Sequence, residues 1–208
     1  MSCALVEDVG FEPQITFSIQ EDKSISVVIE TARLVLKSVE ATPFYYDEYA
    51  KLFGDAAVMK SYASGQPESP ETVERRINNI WNKRWKEGDP YSGFAIFKKD
   101  TTEFIGHIAF GHGYVSGQAA FAYLLHEQFW NQRYGTEAVS AVVHQYAQEI
   151  IRRGYSMEGS PLREAVATTL PSNIASGRIL QGLGAKLTGQ QEEYGSLRDL
   201  YTYSYPNV

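Results

Sequence analysis

Residues 120–139 read AFAYLLHEQFWNQRYGTEAV, and the parsing of this stretch decides the fold. Its first six residues are apolar and extended in character. From Gly135 to about Arg152 the pattern turns helical, with Val139, Val143, Tyr146 and Ile150 along one stripe. A strand therefore feeds a short loop and then a helix. The leading N–H groups of a helix lack internal partners, and the helix dipole adds partial positive charge there. Such a unit aims donors at the strand's C-terminal edge, where a phosphate can be held. Gln132, Arg133, Tyr134, Gly135 and Thr136 are the candidate donors, Gly135 allowing close approach and Thr136 adding a hydroxyl. Glycine is the usual residue where such a backbone nears its ligand, yet the first such place holds Arg133. Every helix has an N-terminus and most hold only water, so this stretch alone leaves both readings open.

Upstream, SISVVIETARLVLKSV is extended and β-branched, and Thr42-Pro43 opens a helix that runs through Phe53. Ser69 caps a second helix beginning at Pro70, with Val73, Ile77, Ile80, Trp81 and Trp85 at helical spacing and Gly88 as the stop. The tryptophans read as core. YSGFAIFKK, EFIGHIAFG and QAAFAYLLH form an antiparallel meander ahead of the deciding loop. Beyond it come a strand, REAVATTL, a short helix after Pro171-Ser-Asn173 that Gly184 ends, and two final strands. This order indicates an α/β or α+β fold. Residues 25–208 read as a single domain and 1–24 as a weakly patterned N-terminal arm.

With 208 residues and a formal charge of −6, the chain is not a candidate for nonspecific nucleic-acid or membrane-surface binding. Its single cysteine, Cys3, excludes an intrachain disulfide and a cysteine-rich metal site, and no metal is expected. Neither a long apolar run nor a basic leader is present, so a soluble, cytoplasmic protein is expected.

IETARLVLKSV, FIGHIAF, AFAYLLHEQFWNQRYGTEAV and ATTLPSNIASGRILQGLGAKLTG occur in an order and spacing similar to those of the Rim-type branch of the GNAT superfamily, acetyltransferases of ribosomal-protein N-termini. The resemblance covers roughly residues 29–205. It implies a mixed, mostly antiparallel central sheet splayed after its fourth strand, helices on both faces and acetyl-CoA in the opening. WNQRYGTEA then resembles the pyrophosphate loop, with the second glycine slot kept as Gly135 and the first replaced by Arg133. Arg133 faces solvent while its backbone serves, pairs a phosphate with its guanidinium, or blocks the cofactor. The resemblance also implies that the backbone of Leu124 and Leu125 meets the acetyl and pantetheine groups.

SNIASGRILQGLGA resembles the family's second cofactor-side block. Asn173 matches an asparagine that reaches the pantetheine arm, and Ser176 a serine proposed in Rim-type members to protonate the departing thiolate. The plain readings are a helix cap for Asn173 and a packing residue for Ser176. The tyrosine that many members carry seven residues after the asparagine is absent, its slot being Leu180, and an acidic residue found on the fourth strand of some is Ala120 here. Glu193, beside Glu192, is the candidate base, and His107 and His112 are further titratable groups nearby. The implied reaction is direct attack of a neutral amine on the thioester. Freeing a lysine at pH 7 costs roughly 4.6 kcal/mol and an α-amine about 1 kcal/mol, from their ordinary pKa values. A protein N-terminal α-amine is therefore the first expected acceptor, a small amine such as a polyamine or aminoglycoside the second, and a non-catalytic acyl-CoA-binding domain the third reading. Homodimers are common in the family and compatible with this sequence.

Overall fold

The structure, a computed structural model, describes residues 12–206. Apart from a two-residue strand pair, Ser156–Met157 with Ser160–Pro161, its strands are β1 (Gln14–Ile19), β2 (Ile25–Glu30), β3 (Leu34–Ser38), β4 (Gly93–Lys98), β5 (Phe104–His112), β6 (Gln118–Leu125), β7 (Glu164–Thr169), β8 (Lys186–Glu193) and β9 (Ser196–Ser204). They form one sheet in the order β1-β2-β3-β4-β5-β6-β7-β9-β8. Neighbours are antiparallel except β6 and β7, which are parallel and pair only at Gln118–Glu164, Ala119–Ala165 and Ala120–Val166. Past Ala120 the two strands part. β6 runs on to Leu125 paired with β5 alone, while β7 continues to Thr169 paired with β9 alone. Counted from Leu34–Ser38, this is the splay after the fourth strand.

Among the described residues four longer helices flank the sheet: α1 (Pro43–Gly54), α2 (Pro70–Arg76, continuing through a π-helical Ile77–Trp81 into Asn82–Lys86), α3 (Tyr134–Ser140, a π-helical Ala141–Tyr146, then Ala147–Arg152) and α4 (Ile174–Gly182); a single helical turn, Ala56–Met59, follows the first. Pro43 and Pro70 each open a helix where a missing N–H costs nothing, and the Ser69 hydroxyl caps α2 by accepting from Thr72 N–H. Gly184 ends α4 at φ +86°. One apolar core joins the sheet to α3 and α4 through Val139, Val143, Tyr146, Ile150 and Leu180. A second gathers Tyr49, Phe53, Val73, Ile77, Trp81, Phe97 and Leu124 against α1 and α2, and none of its residues comes from β7, β8 or β9.

Two expectations shift. Part of the arm expected over residues 1–24 is an edge strand, since β1 pairs with β2 from Gln14–Glu30 to Ile19–Ile25; residues 1–11 lie outside the described residues. Ile80 is 39 % exposed, off the buried stripe that Val73, Ile77, Trp81 and Trp85 form. The π-helical stretch adds a residue to its turn, which keeps positions four apart in line and rotates Ile80 outward.

Candidate active site

The splay is walled by β6 on one side and by β7 and the first turn of α4 on the other. The phase of the β5–β6 ladder decides which backbone groups face it. His126 N–H bonds to Ile105 C=O and Gly113 N–H to Gln118 C=O. Even-numbered β6 residues therefore spend their amides and carbonyls on β5, and Phe121, Tyr123 and Leu125 turn theirs to the opening. This corrects the expectation for Leu124, whose backbone belongs to the β5 ladder. Leu125 does face the splay, but its carbonyl already accepts the Trp130 indole N–H at 2.8 Å.

After β6 the chain makes a 3-10 turn at Glu127–Phe129 and enters α3 through two left-handed residues, Asn131 at φ +60° and Arg133 at φ +63°. Arg133 is the N-cap of α3 with ψ 9°, and it keeps a glycine-like backbone under an arginine side chain. That side chain is exposed and has no ion pair or hydrogen bond among the described residues, so it neither plugs nor braces the loop. The first helical bond runs from Glu137 N–H to Arg133 C=O, which leaves the amides of Tyr134, Gly135 and Thr136 directed off the helix end. A left-handed residue followed by helical ones turns successive N–H groups into an anion-binding concavity.

The cradle is tied down from outside. Glu137 accepts from Thr31 Oγ1 at 2.6 Å, Arg33 N–H at 2.9 Å and Arg33 Nε at 2.7 Å. Arg33 Nη1 donates to Gln132 C=O at 3.0 Å, and its guanidinium lies 4.5 Å from the centroid of the Tyr134 ring. A methyl group built on Gly135 would sit 3.5 Å from Ile179, 3.6 Å from Tyr123 and 3.8 Å from Leu125, ordinary contact distances on the splay side of the helix.

Asn173 is the N-cap of α4, its Oδ1 accepting Ser176 N–H at 3.2 Å. Ser176 is half-buried, and its Oγ accepts a hydrogen bond from Tyr123 Oη at 3.2 Å across the splay. Burial pushes the Tyr123 phenol up to about 12, the bond to Ser176 pulling slightly the other way, so it is protonated at neutral pH. Tyr123 escaped sequence reasoning. In AFAYLL it alternates like any strand aromatic, and only the parting of β6 from β7 gives it a place on the site.

On the α1–α2 side of the splay, β7 presents Thr168 on the same face as the small Ala120 and Ala122 of β6, as the β6–β7 register and strand alternation require. Glu193 comes from β8, two strands from β7 in sheet order, yet its Oε2 accepts from Thr168 Oγ1 at 2.6 Å. The end of the β8–β9 hairpin thus curls over this face. Tyr114 Oη donates to the other Glu193 oxygen at 2.9 Å, and the buried Arg198 donates through Nε to Thr168 Oγ1 at 3.1 Å. Glu193 stands at the splay, but both carboxylate oxygens are engaged. Glu192 is exposed on the same strand.

The two candidate histidines lie elsewhere, while His126 follows the last residue of β6, half-buried, its imidazole held below its ordinary pKa chiefly by burial. His107 is fully buried against Trp81, 4.2 Å between ring centroids, with Tyr49 Oη 2.9 Å from its Nδ1. Burial first, and the Arg76 charge second, hold it down to about 3. His112 pairs with Asp89 at 2.8 Å on the surface. No group of three or more metal-ligating side chains forms among the described residues, and none of their helices is long and apolar enough to cross a membrane.

A parted strand pair with an amide cradle at its mouth offers an opening and a set of anion-binding donors, and comparison with known proteins says which family is built this way. A family model described as an acetyltransferase (GNAT) domain matches residues 33–186, and the chain belongs to that family: it is an acetyltransferase whose acetyl donor is acetyl-CoA. It is 24 % identical over 161 residues, 77 % of this chain and 84 % of the relative, to a Bacillus subtilis (strain 168) protein described as the uncharacterized N-acetyltransferase YnaD. A GNAT acetyltransferase from Bacillus anthracis is similar in structure, with TM-score 0.66, 20 % identity and coverage of 86 % of this chain and 97 % of that one. RimL, a ribosomal L7/L12 α-N-protein acetyltransferase solved with coenzyme A, gives TM-score 0.67 at 19 % identity, covering 85 % and 97 %. The microcin C7 self-immunity acetyltransferase MccE, solved with acetyl-CoA and AMP, gives 0.65 at 17 %, covering 84 % and 94 %. At such identities the likeness is one of fold.

Proposed function

We propose that this acetyltransferase modifies a primary amine, with the α-amine of a protein N-terminus as the acceptor. One observation carries the reading: Glu193, the carboxylate that reaches the acceptor face of the splay, has both of its oxygens engaged by hydroxyl donors. Ala120 carries no carboxylate and His107 is sealed in the core. Taking a proton on Glu193 would mean giving up a bond from Tyr114 or Thr168. Such a face suits an acceptor that sheds its proton easily, and an α-amine near pKa ~7.8 is neutral far more often at pH 7 than a lysine near ~10.4. The RimL likeness points the same way, since that protein is described as an α-N-protein acetyltransferase.

Acetyl-CoA supplies the acetyl group as a thioester, a carbonyl open to attack by an amine. In this reading the amides of Gln132, Arg133, Tyr134, Gly135 and Thr136, with the Thr136 hydroxyl, hold the pyrophosphate. The N–H groups of Tyr123 and Leu125 are the backbone donors set to polarise a carbonyl in the opening. Asn173 fixes the first turn of α4, and Ser176 offers its hydroxyl to the leaving sulfur. Glu193 holds the acceptor wall together, and water takes the amine proton.

The test is thiol release from acetyl-CoA with three acceptor sets: peptides with free N-termini, the same peptides N-terminally blocked but carrying lysine, and polyamines. Turnover is expected with the first set, with kcat/KM rising with pH until the α-amine is neutral near pH 8. Turnover confined to lysines or polyamines overturns the acceptor assignment.

A further inference from the structure

We infer that Tyr123 is a positioning residue for acetyl transfer, orienting and polarising the Ser176 hydroxyl from the opposite wall of the splay. The inference rests on the acetyltransfer reading above and concerns how its proton donor is built.

The geometry is specific about hydrogen direction. Tyr123 Oη donates to Ser176 Oγ at 3.2 Å. A serine hydroxyl has one hydrogen and two lone pairs, so accepting from Tyr123 leaves its own hydrogen free for another acceptor. Ser176 N–H is meanwhile held by Asn173 Oδ1 at 3.2 Å, which fixes the residue on the first turn of α4. Backbone and side chain are thus constrained from two sides, and the open direction for the Ser176 O–H is the splay. A hydroxyl that accepts a hydrogen bond also becomes a better donor, because the two bonds polarise one another.

Position supports the role. The ring of Tyr123 passes beside Gly135, where even a methyl group would come within 3.6 Å, and reaches α4. It therefore bridges the first turn of the cradle helix and the first turn of α4. The slot on α4 where a tyrosine acid is common in the family holds Leu180, which is fully buried in the core. A phenol is nevertheless present at the site, delivered by β6.

The chemistry balances without an added reagent. The amine nitrogen bonds to the acetyl carbon, the carbon–sulfur bond breaks with its electron pair going to sulfur, and the amine loses one proton to water. Sulfur gains one proton through Ser176, which is refilled from Tyr123, and Tyr123 from water. Serine alone is a poor source for this proton because its alkoxide is far more basic than a thiolate. A phenol behind it spreads the cost over two hydroxyls.

Three variants test the inference: Tyr123→Phe, Ser176→Ala and the double variant. Tyr123→Phe is expected to lower kcat about tenfold, less than the ~100-fold or more typical of losing a direct acid or base, because Tyr123 acts through Ser176. KM and Kd for acetyl-CoA should stay within about twofold, since the ring remains in place. The double variant should be no slower than Ser176→Ala, because the two hydroxyls act as one unit. A wild-type kcat in Tyr123→Phe, or losses that simply multiply, overturns the inference. A second readout needs no turnover. In the enzyme without acetyl-CoA, the ring-carbon resonance beside the Tyr123 hydroxyl, followed by 13C NMR across alkaline pH, should titrate at higher pH in Ser176→Ala, which removes the hydroxyl that can turn and donate to the phenolate once Tyr123 ionises. No displacement also overturns it. If the wild type acetylates no amine, the acceptor reading fails while the NMR arm still decides the Tyr123–Ser176 contact.

Discussion

Replacing Arg133 by glycine separates what the backbone does in the cradle from what the side chain does. The residue sits at φ +63°, ψ 9°. For an L-residue this left-handed conformation costs roughly 1–2 kcal/mol, through the approach of Cβ to the carbonyl oxygen. Glycine escapes that cost but adds about 0.4–1 kcal/mol of unfolded-state freedom to be lost on folding. The balance favours Arg133→Gly by about 0.5–1 kcal/mol, a rise in Tm of some 1–4 °C for a domain of this size. Arg133→Ala keeps Cβ, and with it the strain, and should leave Tm nearly unchanged. Both variants remove a guanidinium that has no ion pair or hydrogen bond among the described residues, so acetyl-CoA affinity by calorimetry should stay within about threefold in each. A guanidinium gripping a phosphate would instead be worth about 1.5–3 kcal/mol, roughly 10- to 100-fold in Kd, lost equally from both. That equal loss, or a lower Tm in Arg133→Gly, refutes the reasoning.

Three other outcomes follow from the same geometry. Gly135→Ala should fold with undiminished Tm, because its methyl group meets only ordinary contacts, yet should weaken acetyl-CoA binding about tenfold by filling the splay side of the cradle. Glu137→Gln retains shape but removes the charge that holds Thr31 and Arg33; a loss of about 1–2 kcal/mol in denaturant unfolding is expected, with weaker acetyl-CoA binding as Gln132 loses its tether. His107 is held neutral in the fold down to about pH 3 against its ordinary 6.5. The unfolded chain therefore binds the extra proton between these values, so this residue's contribution is intact above pH 6.5 and declines by up to about 1.4 kcal/mol per unit as pH falls toward 3. The acid limb of a stability–pH profile should flatten in His107→Gln.

What the sequence disclosed depended on whether the signal was local. The helix starts at Pro43 and Pro70, the Ser69 and Asn173 caps and the Gly184 stop are decided within a few residues, and all could be read directly. The strand–loop–helix unit around Arg133 was equally visible, but its left-handed φ was not, because arginine does not advertise that conformation. β1 stayed hidden because it is an edge strand with no fully buried residue, so QITFSI carries little apolar pattern. Ile80 was misplaced because a π-helical turn shifts the period that the eye assumes. The Tyr123–Ser176 contact and the engagement of Glu193 by Tyr114 and Thr168 link residues 53, 79 and 25 positions apart, and depend on where one strand pair stops.

The short β6–β7 pairing also has a mechanical meaning. Three residue pairs form a seam between two stiff blocks, β1 to β6 on one side and β7 to β9 on the other. Behind the seam, toward α3 and α4, a shared apolar core fastens both blocks. In front, toward α1 and α2, the apolar core stops at β6, and the β7–β9 block is met by polar contacts such as Tyr114 to Glu193. Flexing about such a joint is easy in one sense only. It can widen the face that receives the acceptor, exchanging hydroxyl bonds for water, while the wall behind it stays closed, because opening that side would wet the core.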